Sequence, residues 1–150
     1  MPSPIYRFAI ACMIFSGSLL AKAAPVEGQW MTVDDKDGTK KSIVELRVTE
    51  EGSLEGRILT LLQEKSKGKT CEKCPGEFRD KPLEGLRFMW GLTQEETGQW
   101  TEGQILDPKS GKVYKAKVSL SDDGQTLTVR GFIGFSLFGR SQVWQRHDAL

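Results

Sequence analysis

Histidine is almost missing from this chain: His147 is the only one in 150 residues. A metal site built on several imidazoles is therefore excluded, and a Ser-His-Asp triad would have to recruit a side chain three residues from the C-terminus, beside Asp148. Such terminal side chains are usually solvated, so no catalytic residue is expected. Cysteine is scarce too, with Cys12, Cys71 and Cys74 making the full set of three. No charge sign prevails, because 21 Lys and Arg face 20 Asp and Glu. That balance gives no electrostatic footprint for nucleic acid or for an anionic membrane surface. Long apolar runs are missing as well: the stretch from Phe8 to Leu20 spans thirteen residues and is interrupted by Ser16, Gly17 and Ser18. A membrane-spanning helix needs about twenty. Helical periodicity, finally, is hard to find after residue 24.

What is present begins with an export signal. Arg7, the short apolar stretch and Ala21-Lys22-Ala23 ahead of Ala24-Pro25 follow the charged, apolar, small-residue order of a secretory signal peptide. Cleavage is expected after Ala23, which makes residues 1 to 23 a removed signal and 24 to 150 the mature domain of 127 residues. A retained anchor and a lipoprotein modified at Cys12 fit less well, the latter because almost no apolar core precedes the cysteine. Loss of Arg7 and Lys22 lowers the basic count from 21 to 19 against 20 acidic residues, a formal charge of −1. The length suits one domain. The expected destination is a bacterial periplasm, an oxidising compartment that favours pairing of Cys71 with Cys74.

The mature chain reads as eight short strands bounded by turn residues. They are Gly28 to Val33, Ser42 to Thr49, Leu54 to Leu62, Leu86 to Leu92, Gln99 to Leu106, Lys112 to Leu120, a seventh holding Leu127, Val129, Gly131 and Ile133, and Gly139 to Arg146. Leu54, Gly56, Ile58 and Leu62 are expected on one face, and Leu86, Phe88, Trp90 and Leu92 on another. Residues 63 to 82 break the rhythm with Lys, Gly, Pro and both cysteines. A connection this long in a small domain is usually functional or disordered. Consecutive antiparallel strands with one apolar face and no covering helix must form a sandwich or close on themselves. Closure removes exposed edges, so a single all-β, antiparallel, eight-stranded up-and-down barrel is expected.

Gly28-Gln29-Trp30 at the start of the first strand and Arg146 in the last resemble the lipocalin (calycin) pattern. There a Trp at the closed end of the barrel packs under an Arg of the final strand. A longer series resembles the exported bacterial family called domain of unknown function 2147. It comprises Gly56-Arg57-Ile58, Cys71-x-x-Cys74, Pro82-Leu83-x-Gly85 and Gly103-x-Ile105-x-Asp107-Pro108-x-Ser110-Gly111-Lys112-x-Tyr114. It continues through Leu127-x-Val129-Arg130-Gly131-Phe132-Ile133-Gly134 and Gly139-Arg140-Ser141-Gln142-x-Trp144-x-Arg146. The resemblance spans nearly the whole mature chain. It implies a lipocalin-like barrel, with Gly28, Trp30 and Arg146 as structural residues, and implies no activity.

Cys71-Glu72-Lys73-Cys74 has the spacing of a redox dithiol, but it lacks the helix N-terminus within an α/β unit that lowers a thiolate pKa. Two cysteines make half of a tetrahedral zinc set. A structural disulfide clipping the loop is the favoured reading, with redox and metal roles behind it. Glu95-Glu96 and Asp122-Asp123 fall in turns and serve turn geometry. No cofactor motif is found and none is expected. Trp30, Trp90, Trp100, Tyr114 and Trp144 suit a cavity lining, and equally a filled core. Arg57, Arg130 and Arg140 interrupt apolar stretches; pointing inward, any of them would need a carboxylate partner.

The expectation is therefore a non-enzymatic periplasmic protein binding a small apolar or amphipathic ligand in the barrel mouth, through Trp30, Arg57, Trp90, Trp100, Tyr114 and Arg130. The 63 to 82 loop would be its rim or lid, and Phe135 and Phe138 its entrance. The alternatives are a protein-interaction module of the cell envelope with a filled barrel, docking through Phe135-Ser136-Leu137-Phe138, and an envelope redox accessory using Cys71 and Cys74.

Overall fold

The computed structural model describes residues 25 to 147, so the signal-peptide reading of residues 1 to 23 lies outside the described residues. The strands are β1 (Gly28–Val33), β2 (Lys40–Val48), β3 (Leu54–Leu61), β4 (Arg87–Glu96), β5 (Gln99–Asp107), β6 (Lys112–Leu120), β7 (Thr126–Phe132) and β8 (Gly139–Arg146). Each pairs with the next, and β1 pairs with β8 through Trp30 opposite Arg146 and Met31 opposite Gln145, which closes the barrel. The expected all-β up-and-down closure is what forms. A sheet whose strands each carry one apolar face buries all of those faces at once this way, and keeps no edge.

Successive connections alternate between the two ends. The β2–β3, β4–β5 and β6–β7 turns lie at one end with the N-terminal segment, and the β1–β2, β3–β4, β5–β6 and β7–β8 connections lie at the other. At the first end Arg146 seals the barrel. The second end carries the long β3–β4 connection, with short 3₁₀ turns at Glu64–Ser66 and Gly76–Phe78.

Strict alternation fails where bulges shift the register, and those in β3 and β4 move residues expected in the core. Ser42 pairs with Leu61 and Ile43 with Thr60, but Val44 pairs with Ile58, so one residue of β3 is skipped. Leu61 consequently turns into the core and Leu62 is exposed, the reverse of the expected order. In β4 the register against β3 shifts twice: the first shift, at Phe88, puts both Phe88 and Met89 inside and turns Trp90 outward, and the second, spanning Gly91 at φ +75°, returns Leu92 to the interior. Phe88, Met89 and Leu92 are buried, whereas Trp90 sits opposite Gln104 and donates its indole N–H to that side chain at 2.9 Å, on the outer surface. β4 also runs four residues beyond the expected Leu92, to Glu96, because the Thr97-Gly98 turn lets it pair with the start of β5.

Candidate functional site

The closed half of the barrel is packed solid. Trp30, Leu46, Leu54, Met89, Leu92 and Leu127 have no exposed surface, and Trp100 and Trp144 are buried beside them. Trp30 donates its indole N–H to the Val26 carbonyl at 3.0 Å, and the Phe88 ring sits 6.0 Å from that of Trp144. Buried side chains of this size each contribute about 1.5–3 kcal/mol. Trp30 and Trp100 are therefore core residues here and do not line a cavity. Arg146 lies over the Trp30 ring, and Gly28 leaves it room: a Cβ on Gly28 would stand 3.1 Å from the Arg146 Nη1. The three residues of the lipocalin-type pattern thus form one structural unit.

Polar and half-buried groups collect toward the second end. Thr32 and Ser42 share a buried hydroxyl–hydroxyl hydrogen bond of 2.8 Å. Tyr114 stands opposite Ile105, on the interior register that it shares with Ala116, and is half-buried. Gly131 lies beside both, and Arg140 lies opposite Gly131 on the same register as Gln142 and Trp144. Arg140 reaches the rim and makes a two-pronged ion pair with Asp35 in the β1–β2 turn. The Arg140 hydrogen bond holds the Asp35 carboxyl below its ordinary value, and the Arg140 guanidinium is raised in turn.

The most exposed apolar side chains of the described residues lie on this rim. Ile133, Phe135, Leu137 and Phe138, all in the β7–β8 connection, are 65%, 77%, 86% and 74% exposed. The loop is braced from behind by Arg130, whose Nε donates to the Ser136 carbonyl at 2.7 Å and whose Nη1 donates to the Ser141 hydroxyl at 3.0 Å.

Three sequence candidates face away from the interior. Arg57 pairs with Glu45 between the buried Val44–Ile58 and Leu46–Gly56 pairs, so the pleat turns it outward. Arg130 pairs with Lys117 between Val118–Val129 and Ala116–Gly131 and is outward for the same reason. Trp90 joins them through the register shift at Phe88.

The β3–β4 connection lies against that outer wall and the β5–β6 turn. Phe78 stacks on Trp90 at 5.2 Å, Cys71 Sγ contacts the Pro108 carbonyl at 3.8 Å, and Gly111 leaves space for the Lys73 backbone. Cys71 and Cys74 form a disulfide, and both are buried, as is Leu106. The loop's buried Cys71 and Cys74 pack into the same apolar cluster as the barrel core, with Phe78 and Leu83 against it. An attacking thiolate must reach a sulfur to exchange with it, and burial denies that approach.

Sequence reasoning underrated Arg140 and passed over Asp35, Phe78 and Arg87. Asp35 reads as an ordinary turn residue, and its partner lies 105 positions away. For Arg140 a signal existed, since the register of β8 places it on the Trp144 face.

The family model for "Uncharacterized protein conserved in bacteria (DUF2147)" matches residues 28–146. A solved structure from Helicobacter pylori, "Protein HP1028 from the human pathogen Helicobacter pylori belongs to the lipocalin family", superposes with a TM-score of 0.73 at 19% identity. That superposition covers 83% of this chain and 84% of the other. No curated protein matches the chain.

Proposed function

The chain belongs to the bacterial family DUF2147, and on that footing we propose a non-enzymatic, exported periplasmic protein that takes a small apolar or amphipathic molecule at the mouth of its barrel. The observation carrying this reading is the row of exposed Ile133, Phe135, Leu137 and Phe138 on one rim loop. Large apolar side chains gathered this way on a soluble domain usually mark contact with a ligand or partner. Because the lower barrel is filled, the molecule sits shallowly, against the rim and the Tyr114 and Ile105 side chains. Arg140, charged and within reach of the mouth, exchanges Asp35 for an acidic head group. The lipocalin-like fold, in which binding without catalysis is usual, supports the same reading.

Native mass spectrometry of the mature chain from its own compartment, beside an organic extract of the unfolded protein, tests the proposal. A reproducible extra mass released on denaturation, and lost in Phe135→Ser/Phe138→Ser with the fold intact, is the expected result. The N-terminal residue of the same sample checks export and cleavage after Ala23. A bare protein from which that double substitution removes a co-purifying partner points to the second reading, a protein-docking rim, which the filled lower barrel also favours. The buried state of Cys71 and Cys74 supports a structural clip over a redox role.

A further inference from the structure

A second feature lies on the outer wall, away from the mouth. Arg57 on β3 and Arg87 on β4 are direct cross-strand partners. Like charges placed opposite one another in a sheet are destabilising unless something bridges them. The protein does this poorly. Glu55 stands 3.9 Å from Arg57 and 3.8 Å from Arg87, and Glu77 stands 3.8 Å from Arg87. A charge-assisted guanidinium–carboxylate hydrogen bond is about 2.7–2.9 Å long. Arg57 otherwise reaches the Gly85 carbonyl at 3.4 Å. Glu84, also nearby, is already committed, accepting from the Leu61 backbone N–H at 2.9 Å and the Thr60 hydroxyl at 3.2 Å.

These two guanidinium groups border a recess of about 350 Å³ between the β3–β4 connection and the wall. Lys81 adds a third cation, which makes no ion pair among the described residues, and the carboxylates of Glu77 and Glu84 line the recess as well, so its three cations outnumber its two anions. The recess is not only charged. Phe78, Pro82 and Leu86 give it an apolar side. Phe78 is held by its stack on Trp90, and the Arg87 guanidinium carbon sits 5.6 Å from the Trp90 ring centroid. Ring and cation are thus positioned by the same indole. The volume falls in the range that holds small ligands, about 300–1,000 Å³.

We infer that this recess is a binding site for a small anion with an apolar body, a carboxylate or phosphate held between Arg57 and Arg87 with an aromatic or short aliphatic group against Phe78 and Pro82. Two planar guanidinium forks suit such an acceptor, since each can donate two parallel hydrogen bonds. The bound anion also relieves the cross-strand repulsion, so ligand and sheet stabilise one another. The site differs from the barrel mouth in place and in residues, and it stands whether or not the mouth binds anything.

Backbone amide NMR of the mature chain, titrated separately with benzoate, phenyl phosphate, inorganic phosphate and neutral benzyl alcohol, tests the inference. The expected result is saturable shifts at the amides of Arg57, Gly85, Leu86 and Arg87 with benzoate or phenyl phosphate, and none with benzyl alcohol. The carboxylate and phosphate arms then identify the head group. Arg57→Gln and Arg87→Gln should each weaken binding at least tenfold, Lys81→Gln two- to threefold, and Arg47→Gln on β2 not at all. If a glutamine variant fails to fold, Arg57→Lys and Arg87→Lys keep the charge, lose the planar fork and should still bind several-fold more weakly. Equal binding of benzyl alcohol, absence of saturable shifts at these amides, or unchanged affinity in folded Arg57 and Arg87 variants overturns the inference.

Discussion

The guanidinium carbon of Arg146 lies 4.3 Å from the centroid of the Trp30 ring. The same guanidinium donates to the carbonyls of Gly124 at 2.6 Å, Pro25 at 2.6 Å and Glu27 at 3.2 Å. One side chain therefore joins the first strand, the last strand, the β6–β7 turn and the N-terminal segment. It covers the aromatic floor of the barrel while satisfying carbonyls that have no strand partner.

Arg146→Lys keeps the charge but cannot make that set of bonds, and an ammonium covers less of the indole. A loss of about 2 kcal/mol is expected, read as a fall in thermal midpoint of roughly 5–8 °C. Trp30→Ala, which opens a cavity in the packed half, should cost more, about 3–5 kcal/mol. Thermal unfolding followed by circular dichroism compares the two, and an Arg146→Lys midpoint equal to that of the parent would remove Arg146 from its closing role.

Glycines in β4 and β5 separate steric from conformational need. A Cβ on Gly103 would stand 2.9 Å from the Trp90 carbonyl and 2.6 Å from Leu92 Cδ1, with Leu92 Cγ closer still. Gly91 has open space around it but a φ of +75°. Gly103→Ala must move a backbone carbonyl and a core leucine, and should cost about 1–3 kcal/mol. Gly91→Ala meets only the strain of the left-handed region, about 1–2 kcal/mol. Urea unfolding should place Gly103→Ala below or level with Gly91→Ala in stability; a parent-like Gly103→Ala would contradict the close approach of β4 and β5.

The Asp35–Arg140 pair gives the rim a defined acid response. Its hydrogen bond from Arg140 lowers the Asp35 carboxyl from the ordinary 3.8. A group depressed in the folded state stabilises it above the unfolded value and loses that contribution as pH falls through the folded one. The difference between parent and Asp35→Asn should thus be constant from neutral pH to about pH 5 and close below about pH 4. It will be small, because exposed pairs are screened by water. A difference that widens on acidification would show that the carboxylate is not held by Arg140 in solution.

The Cys71–Cys74 bond should resist reductant in the native protein and yield to it in urea, since both sulfurs are buried. Mass-tagging of free thiols after timed exposure to reductant measures this. Rapid native reduction would revive a redox role for the loop. Phe78→Ala should leave the barrel standing while changing Trp90 fluorescence, because that stack pins the loop to the outer wall.

Much of this architecture was legible in the residue order. The run Lys112 to Leu120 alternates cleanly, and β6 forms there with Ala116 and Val118 inside. Gly28, Trp30 and Arg146 announced the closed end. The site was less legible. Arg57 and Arg130 interrupt apolar stretches, yet the register turns both outward. Trp90 reads as the third member of an inward row, but the register shift at Phe88 reverses the pleat before it. Asp35 and Arg140 meet only because closure brings the β1–β2 turn to β8.

The sequence by itself determined the class, the closure and the paired cysteines of this protein, because period-two patterning and turn residues act over a few neighbouring positions. Tertiary structure alone decided which face each aromatic and arginine occupies, that the disulfide loop packs against the outer wall, and that Arg57 and Arg87 stand opposite one another. A single bulge shifts the phase of everything after it, and cross-strand partners are chosen by register across the barrel. Neither is written in the local pattern of residues.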